Sequence, residues 1–246
     1  MSLYTQTIEI RDQLQSKSAE EILKAAAEKF SGKVALANSL GAEDQVITDL
    51  IVKLKLDIPI FTLDTGRLYN ESYDLIAETE EKYNIKIKIY SPDAEEVEQM
   101  VLEDGINLFR KSLDLRKKCC HIRKLEPLKR ALANNEAWIC GLRREQSVTR
   151  SDISEVDWDE IHRMPKFNPL VEWSEEDVWK YIKENNVPYN KLHDKGFRSI
   201  GCACCTRVVK PDEDVRAGRW WWETPEQKEC GLHLVNGKLE RIKKAN

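Results

Sequence analysis

No stretch of the 246-residue chain approaches the roughly 18 consecutive apolar residues of a membrane span. The start, Met1 to Gln6, also lacks the basic residues and apolar run of a secretion signal. Both absences lead to the expectation of a cytoplasmic protein with no membrane partner. No repeat or low-complexity tract is present, which sets aside solenoid and disordered classes. Neither a Walker A loop nor a G-x-G-x-x-G loop occurs, so the commonest phosphate-binding devices are missing. An even cysteine set is missing too. Seven cysteines in a chain of this size, in a reducing compartment, suit metal binding or catalysis better than a disulfide framework.

The composition is that of a globular protein, 41% apolar and 33% charged, with length enough for one large core. The formal charge of -4 conceals an asymmetry. Residues 110–150 carry twelve Lys or Arg against four acids, +8 in all, and the remainder of the chain carries -12. Such a segment expects an anion. It has no interleaved aromatic set for stacking bases, and the rest of the chain is acidic, so nucleic acid is not the expected partner. A small phosphorylated or sulfated substrate fits better.

Hydrophobic periodicity alternates along the chain. Ser18-Ala19-Glu20-Glu21 is a capping box opening an amphipathic helix through Phe30, and Lys33 to Ala37 follows as a short buried strand. Further helices are expected over 43–55, 69–83, 93–103, 118–134 and, capped by Ser174, to about 184. Strands are expected over 58–63, 85–90 and 137–140. Strands separated by helices of this length imply an α/β fold, a mostly parallel sheet with helices on both faces. From Thr206 onward the chain reads as irregular and polar, with Trp220-Trp221-Trp222 in its midst.

Four stretches carry potential chemistry. Ser39-Leu40-Gly41-Ala42-Glu43-Asp44 falls between the first strand and the next helix, and Asp64-Thr65-Gly66-Arg67 ends the second strand. Both lie at the carboxyl edge of a parallel sheet, where ligands bind. A plain capped turn, with Gly41 supplying the unusual dihedral, is the alternative for the first. Gly141 to Arg150 follows the strand ending at Cys140, so its arginines project at the same edge, and the planar arginine fork suits sulfate and phosphate. Arg216 and Arg219, with the three tryptophans, could close over a charged ligand.

The cysteines form the fourth. Cys119-Cys120 stands among Lys117, Lys118, Arg123 and Lys124, a setting too charged for two core cysteines, and Cys202 and Cys205 supply a C-x-x-C pair. Nearby cations favour an anionic iron-sulfur centre over zinc, which stays open as the second choice. Cys140, ending an apolar strand, is expected to be a buried hydrophobe. Cys204, inside the ligand loop, is expected to turn away from the metal. Cys230, in Glu229-Cys230-Gly231-Leu232-His233, reads either as an exposed terminal thiol or as a nucleophile activated by nearby cations.

Taken together these residues resemble the assimilatory adenylyl-sulfate reductases, close relatives of phosphoadenylyl-sulfate reductases. The resemblance runs from Ser39-Leu40-Gly41-Ala42-Glu43-Asp44 through Asp64-Thr65-Gly66, Cys119-Cys120, Gly141 to Ser147, Val187-Pro188-Tyr189-Asn190, Leu192-His193-Asp194, Ser199-Ile200-Gly201-Cys202 and Gly218 to Trp222 to the terminal Glu229 to His233. It implies an adenine nucleotide alpha hydrolase-like fold, with a nucleotide-binding reductase domain over 1–205 and a segment over 206–246 carrying the catalytic thiol. It implies a [4Fe-4S] cluster on Cys119, Cys120, Cys202 and Cys205, and Cys230 as the nucleophile that takes the sulfo group of adenosine 5'-phosphosulfate (APS). Thioredoxin or a similar dithiol would then release sulfite. Substrate-binding residues expected on this basis and from position are Ser39, Gly41, Thr65, Gly66, Lys124, Arg143, Arg144, Arg216, Arg219 and His233. Cys204 departs from the family pattern, where proline is common. The alternatives within the family are reduction of the 3'-phosphorylated nucleotide or of both nucleotides, and a metal-stabilised nucleotide-binding or tRNA-modifying protein is the alternative of another class. A homo-oligomer is compatible with either.

Overall fold

A computed structural model describes residues 2–146, 150, 152–210 and 212–224. Among the described residues, six strands form one sheet in the order β3-β2-β1-β4-β6-β5. Strands β1 (Val34–Ala37), β2 (Ile60–Leu63), β3 (Ile87–Tyr90), β4 (Ala137–Ile139) and β6 (Met164–Phe167) run parallel, and only the edge strand β5 (Val156–Asp159) is antiparallel to its neighbour. The mostly parallel sheet expected from the alternation is therefore present. The pair β5 and β6 was not legible, because Pro165 and a buried Lys166 stand where a strand pattern should show.

Successive strand residues face opposite ways, and the core follows that period. Val34 and Leu36 of β1, Ile60 of β2, and Ala137 and Ile139 of β4 face one apolar layer with residues of α1 (Leu3–Leu14), α2 (Ala19–Lys29), α3 (Ala42–Lys53), α4 (Asn70–Tyr83) and α8 (Glu175–Asn185). Ala35, Phe61, Trp138 and Cys140 face the other layer, against Leu128, Ala131 and Leu132 of α7 (Glu126–Leu132). Leu36 is fully buried, and truncating it to alanine should cost on the order of 2–5 kcal/mol. Helix α2 has the expected capping box, Ser18 Oγ accepting from Glu21 N at 3.2 Å while Glu21 accepts from Ser18 N at 2.9 Å.

A third, smaller core joins Met100 of α5 (Ala94–Asp104), Phe109, Cys119 of α6 (Leu113–Cys120), Cys205 and Trp220. The single helix expected over 118–134 is instead α6 and α7 joined by one π turn, His121–Leu125, where Glu126 N reaches back to His121 O. No helix among the described residues is long and apolar enough to cross a membrane.

Candidate functional site

The loop after β1 is shaped by buried polar groups. Asn38 accepts from Leu40 N at 2.7 Å and donates to Gln45 Oε1 at 2.9 Å and Thr48 Oγ1 at 3.0 Å, which folds the chain back onto α3. Leu40, not Gly41, takes the left-handed backbone here, with φ 64 against φ -80 at Gly41. Asp44 closes the loop, accepting from Ser39 N at 2.8 Å and Ser39 Oγ at 2.5 Å. Its other oxygen accepts from Gly141 N at 2.8 Å, beyond the end of β4. Only glycine fits that approach: a Cβ at 141 would stand 2.6 Å from Asp44 Oδ1. Burial pushes the Asp44 carboxyl up to about 6.

At the end of β2, Arg123 donates to Thr65 O at 2.6 Å and Thr65 Oγ1 lies 3.3 Å from Cys202 Sγ. Ala203 N donates to Arg67 O at 2.8 Å. The β2 loop is thereby joined to the cysteine loop. Arg219 packs directly on Gly201, where a Cβ would come within 2.3 Å of its guanidinium, and donates to Ile200 O at 3.1 Å. Trp220 is fully buried between two cations, with the guanidinium carbons of Arg116 and Arg219 each 4.8 Å from its ring centre. Arg116 in turn forms a two-pronged pair with Glu223, at 3.0 and 2.9 Å, with both side chains buried.

These loops enclose a cavity of about 210 Å³ at the carboxyl edge of the sheet. Of the expected binding residues, Ser39, Gly41, Thr65, Lys124, Arg143, Arg216 and Arg219 border it. Gly66 does not; it lies against Arg123. Arg144 does not either, since it donates to Ile153 O at 2.8 Å and pairs with Glu172 away from the cavity. Arg143 borders the cavity but is held by Glu43 at 2.8 Å, so its charge is matched within the wall. Residues that sequence reasoning did not select also line it, among them Asn38, Trp138, Gln146, Arg150, Trp179, His193 and Arg198. Gln146, Arg150 and His193 lie in stretches that the sequence marks out, and for the first two the chain direction after β4 is the available signal. Cys230 and His233 lie outside the described residues.

A second pocket adjoins the first and shares Lys124, Arg219 and Trp220 with it. Cys119, Cys120, Cys202, Cys204 and Cys205 all border it, with Arg67, Arg116 and Arg123. The π turn explains part of this convergence. Hydrogen bonding from i to i+5 widens the turn, so Lys124 falls nearly over Cys119 instead of swinging past it. Cys204 does not turn away as expected; its sulfur lies 3.7 Å from that of Cys205 and borders the same pocket. The Cys205 thiol, with help from Arg67, pushes Cys204 down to about 6, while burial pushes Cys119 up. Cys140 is the buried hydrophobe expected, its thiol pushed up to about 12 by burial and donating to Asn168 Oδ1 at 3.3 Å. Among the described residues no three His, Cys, Asp or Glu side chains stand close enough to share a single metal ion.

Comparison with known proteins agrees with this geometry. Residues 33–208 match the model of the phosphoadenosine phosphosulfate reductase domain. The chain is 48% identical over 232 residues to a protein of Allochromatium vinosum named adenosine 5'-phosphosulfate reductase, covering 94% of this chain and 89% of that one. It is 50% identical over 203 residues to the protein of that name from Burkholderia cepacia, covering 82% of this chain and 81% of that one. Among solved structures, a phosphoadenylyl-sulfate reductase of Candida auris in complex with phosphate superposes with TM-score 0.69 at 29% identity, over 82% of this chain and 96% of that one.

Proposed function

The chain belongs to the phosphoadenosine phosphosulfate reductase domain family, and we propose that it reduces APS to sulfite and AMP with a thiol reductant, the chemistry of sulfate assimilation. One observation carries the reading: Lys124 and Arg219 stand in the wall between the cavity and the thiol pocket. A nucleotide whose purine enters the apolar side therefore meets cations where its sulfate must react.

In this proposal Cys230 is the nucleophile. Its thiolate attacks the sulfate sulfur, the bond from that sulfur to the phosphate oxygen breaks, and AMP leaves carrying the electron pair. An S-sulfonate, Cys–S–SO3⁻, remains on Cys230. A dithiol protein of the thioredoxin type then attacks the Cys230 sulfur, sulfite departs, and the second thiol of the reductant restores Cys230, so the two electrons come from the dithiol. Lys124, Arg216 and Arg219 neutralise the sulfate and phosphate oxygens and offset the charge that gathers on the departing phosphate. Asp44 and Gly141 hold the two loops at the separation the nucleotide needs. The terminal segment 206–246 acts as the carrier of the thiol.

Cys119, Cys120, Cys202 and Cys205 would hold a [4Fe-4S] cluster. Three features support the fit: the donor set is entirely sulfur, arginines and a lysine surround it, and no carboxylate borders the pocket among the described residues. When bound, the cluster supplies local charge and a rigid support for the turn bearing Lys124.

The test is mass spectrometry of the full chain after mixing with APS and no reductant. The expected result is one added sulfo group on the peptide containing Cys230, released as sulfite by thioredoxin. Sulfite formation by Cys230→Ser at the unmodified rate would reject the mechanism.

A further inference from the structure

The wall of the cavity has three chemically distinct parts. Phe61, Leu63, Leu128, Trp138 and Leu142 form an apolar slot on the α7 side. Lys124, Arg216 and Arg219 form a cationic end, which adjoins the thiols. The third part, on the α8 side, brings together Glu43, Glu175, Trp179 and His193. Its two carboxylates are matched within the wall, Glu43 by Arg143 at 2.8 Å and Glu175 by Arg198 at 2.6 Å. This side consequently offers no surplus positive charge.

His193 is the distinctive group there. It sits in the turn His193–Lys195 after α8, its ring edge-on to Trp179 at 5.0 Å. Its Nε2 is buried and has no hydrogen-bond partner among the described residues. Burial lowers its pKa, so near neutral pH the ring is uncharged, and with the Phe197 backbone engaging the other nitrogen, Nε2 is left as an acceptor. A hydroxyl can donate to it. A phosphate dianion can only accept, and the arginines on this side already serve carboxylates.

A sulfonucleotide has three parts to match the three walls. The purine fits the apolar slot, and the phosphosulfate must lie at the cationic end beside the thiols. That leaves the sugar for the third wall. We propose that His193 is a specificity-determining residue that engages the ribose hydroxyls, so that the site takes a nucleotide with a free 3'-hydroxyl; this rests on the function proposed above.

Calorimetric titration of the full chain with AMP, 2'-deoxy-AMP, 3'-deoxy-AMP and adenosine 3',5'-bisphosphate tests the assignment, using wild type, His193→Phe and His193→Gln. In wild type, loss of one ribose hydroxyl should weaken binding about tenfold, and the bisphosphate should bind less tightly than AMP. In His193→Phe, which keeps a ring against Trp179, the deoxy penalty should fall to about twofold or less, and His193→Gln should restore part of it. An equal deoxy penalty in wild type and His193→Phe would overturn the assignment, as would tighter binding of the bisphosphate than of AMP by wild type. Should His193→Phe fail to fold, the same comparison is made with His193→Gln alone, where an unreduced penalty for both deoxynucleotides and tighter bisphosphate binding would count against it. If wild type binds no adenine nucleotide at all, the parent function fails first, and that outcome is separate from a nucleotide bound without sensitivity to His193.

Discussion

Asp44 accepts the backbone N–H of Gly141 at 2.8 Å, joining two loops that lie 97 residues apart in sequence. The same carboxylate holds Ser39 on its other oxygen, so one side chain ties together two loops that border the cavity.

Replacing Asp44 by Asn removes one acceptor from that junction and should destabilise the fold by about 1–3 kcal/mol. The cost should depend on pH. Burial raises the carboxyl to about 6 from an ordinary 3.8, so the folded chain binds the proton more tightly than the unfolded chain does. That contribution is fully present below about pH 4 and is lost as pH rises through 6. The deficit of Asp44→Asn, measured by urea unfolding, should therefore be larger at pH 5 than at pH 7; a deficit that grows toward pH 7 would contradict the assignment.

On the proposed cluster, wild type and Cys204→Ala should purify with iron and acid-labile sulfide, and Cys205→Ala should lack both. Metal and sulfide analysis of anaerobically purified protein reads this directly. Loss of iron from Cys204→Ala would exchange the roles of two adjacent thiols that border one pocket.

Glu223→Ala removes the carboxylate that pairs with Arg116 where both are buried, and breaking such a pair costs on the order of 3–5 kcal/mol. Because Arg116 stacks on Trp220 and Trp220 on Arg219, the loss should reach the cavity. A lowered melting temperature together with weaker AMP binding is the expected pair of results. Weaker binding of the same degree in an Arg110→Ala control, which contacts Trp221 and Trp222 instead, would show that the effect is not specific to this stack.

Arg144 and Arg219 should separate cleanly. Arg144→Ala breaks a partly exposed pair with Glu172, worth roughly 0–1 kcal/mol, and should leave KM within about twofold. Arg219→Ala takes a cation out of the cavity wall and should raise KM by about tenfold or more. Steady-state kinetics with sulfite as the product measured would distinguish them, and equal effects would mean that the cavity is misassigned.

Much of the fold could be read from local pattern. The capping box at Ser18 and the switch of period into β1 are short-range signals, and both are present as expected. Helix α1 escaped because it buries only Thr7, Ile10 and Leu14, a stripe too sparse to mark a helix. The role of Asp44 could not be read, since its partner is a backbone amide far along the chain. Nor could adjacent arginines be told apart: Arg143 and Arg144 have the same chemistry, and only the path of the loop decides that one borders the cavity and the other meets Glu172. Leu40 replaces Gly41 at the left-handed position because Asn38 turns the chain there, a tertiary constraint that overrides the usual preference.

The π turn at His121–Leu125 carries one more consequence. Wound as regular α-helix with no residue removed, the same segment would carry Lys124 about 100° further around the cylinder while every amino-acid type nearby stayed the same. The spacing between thiol and amine is thus encoded by winding as well as by counting, and an engineer who preserved each functional group but straightened that bend at constant length would dismantle the arrangement.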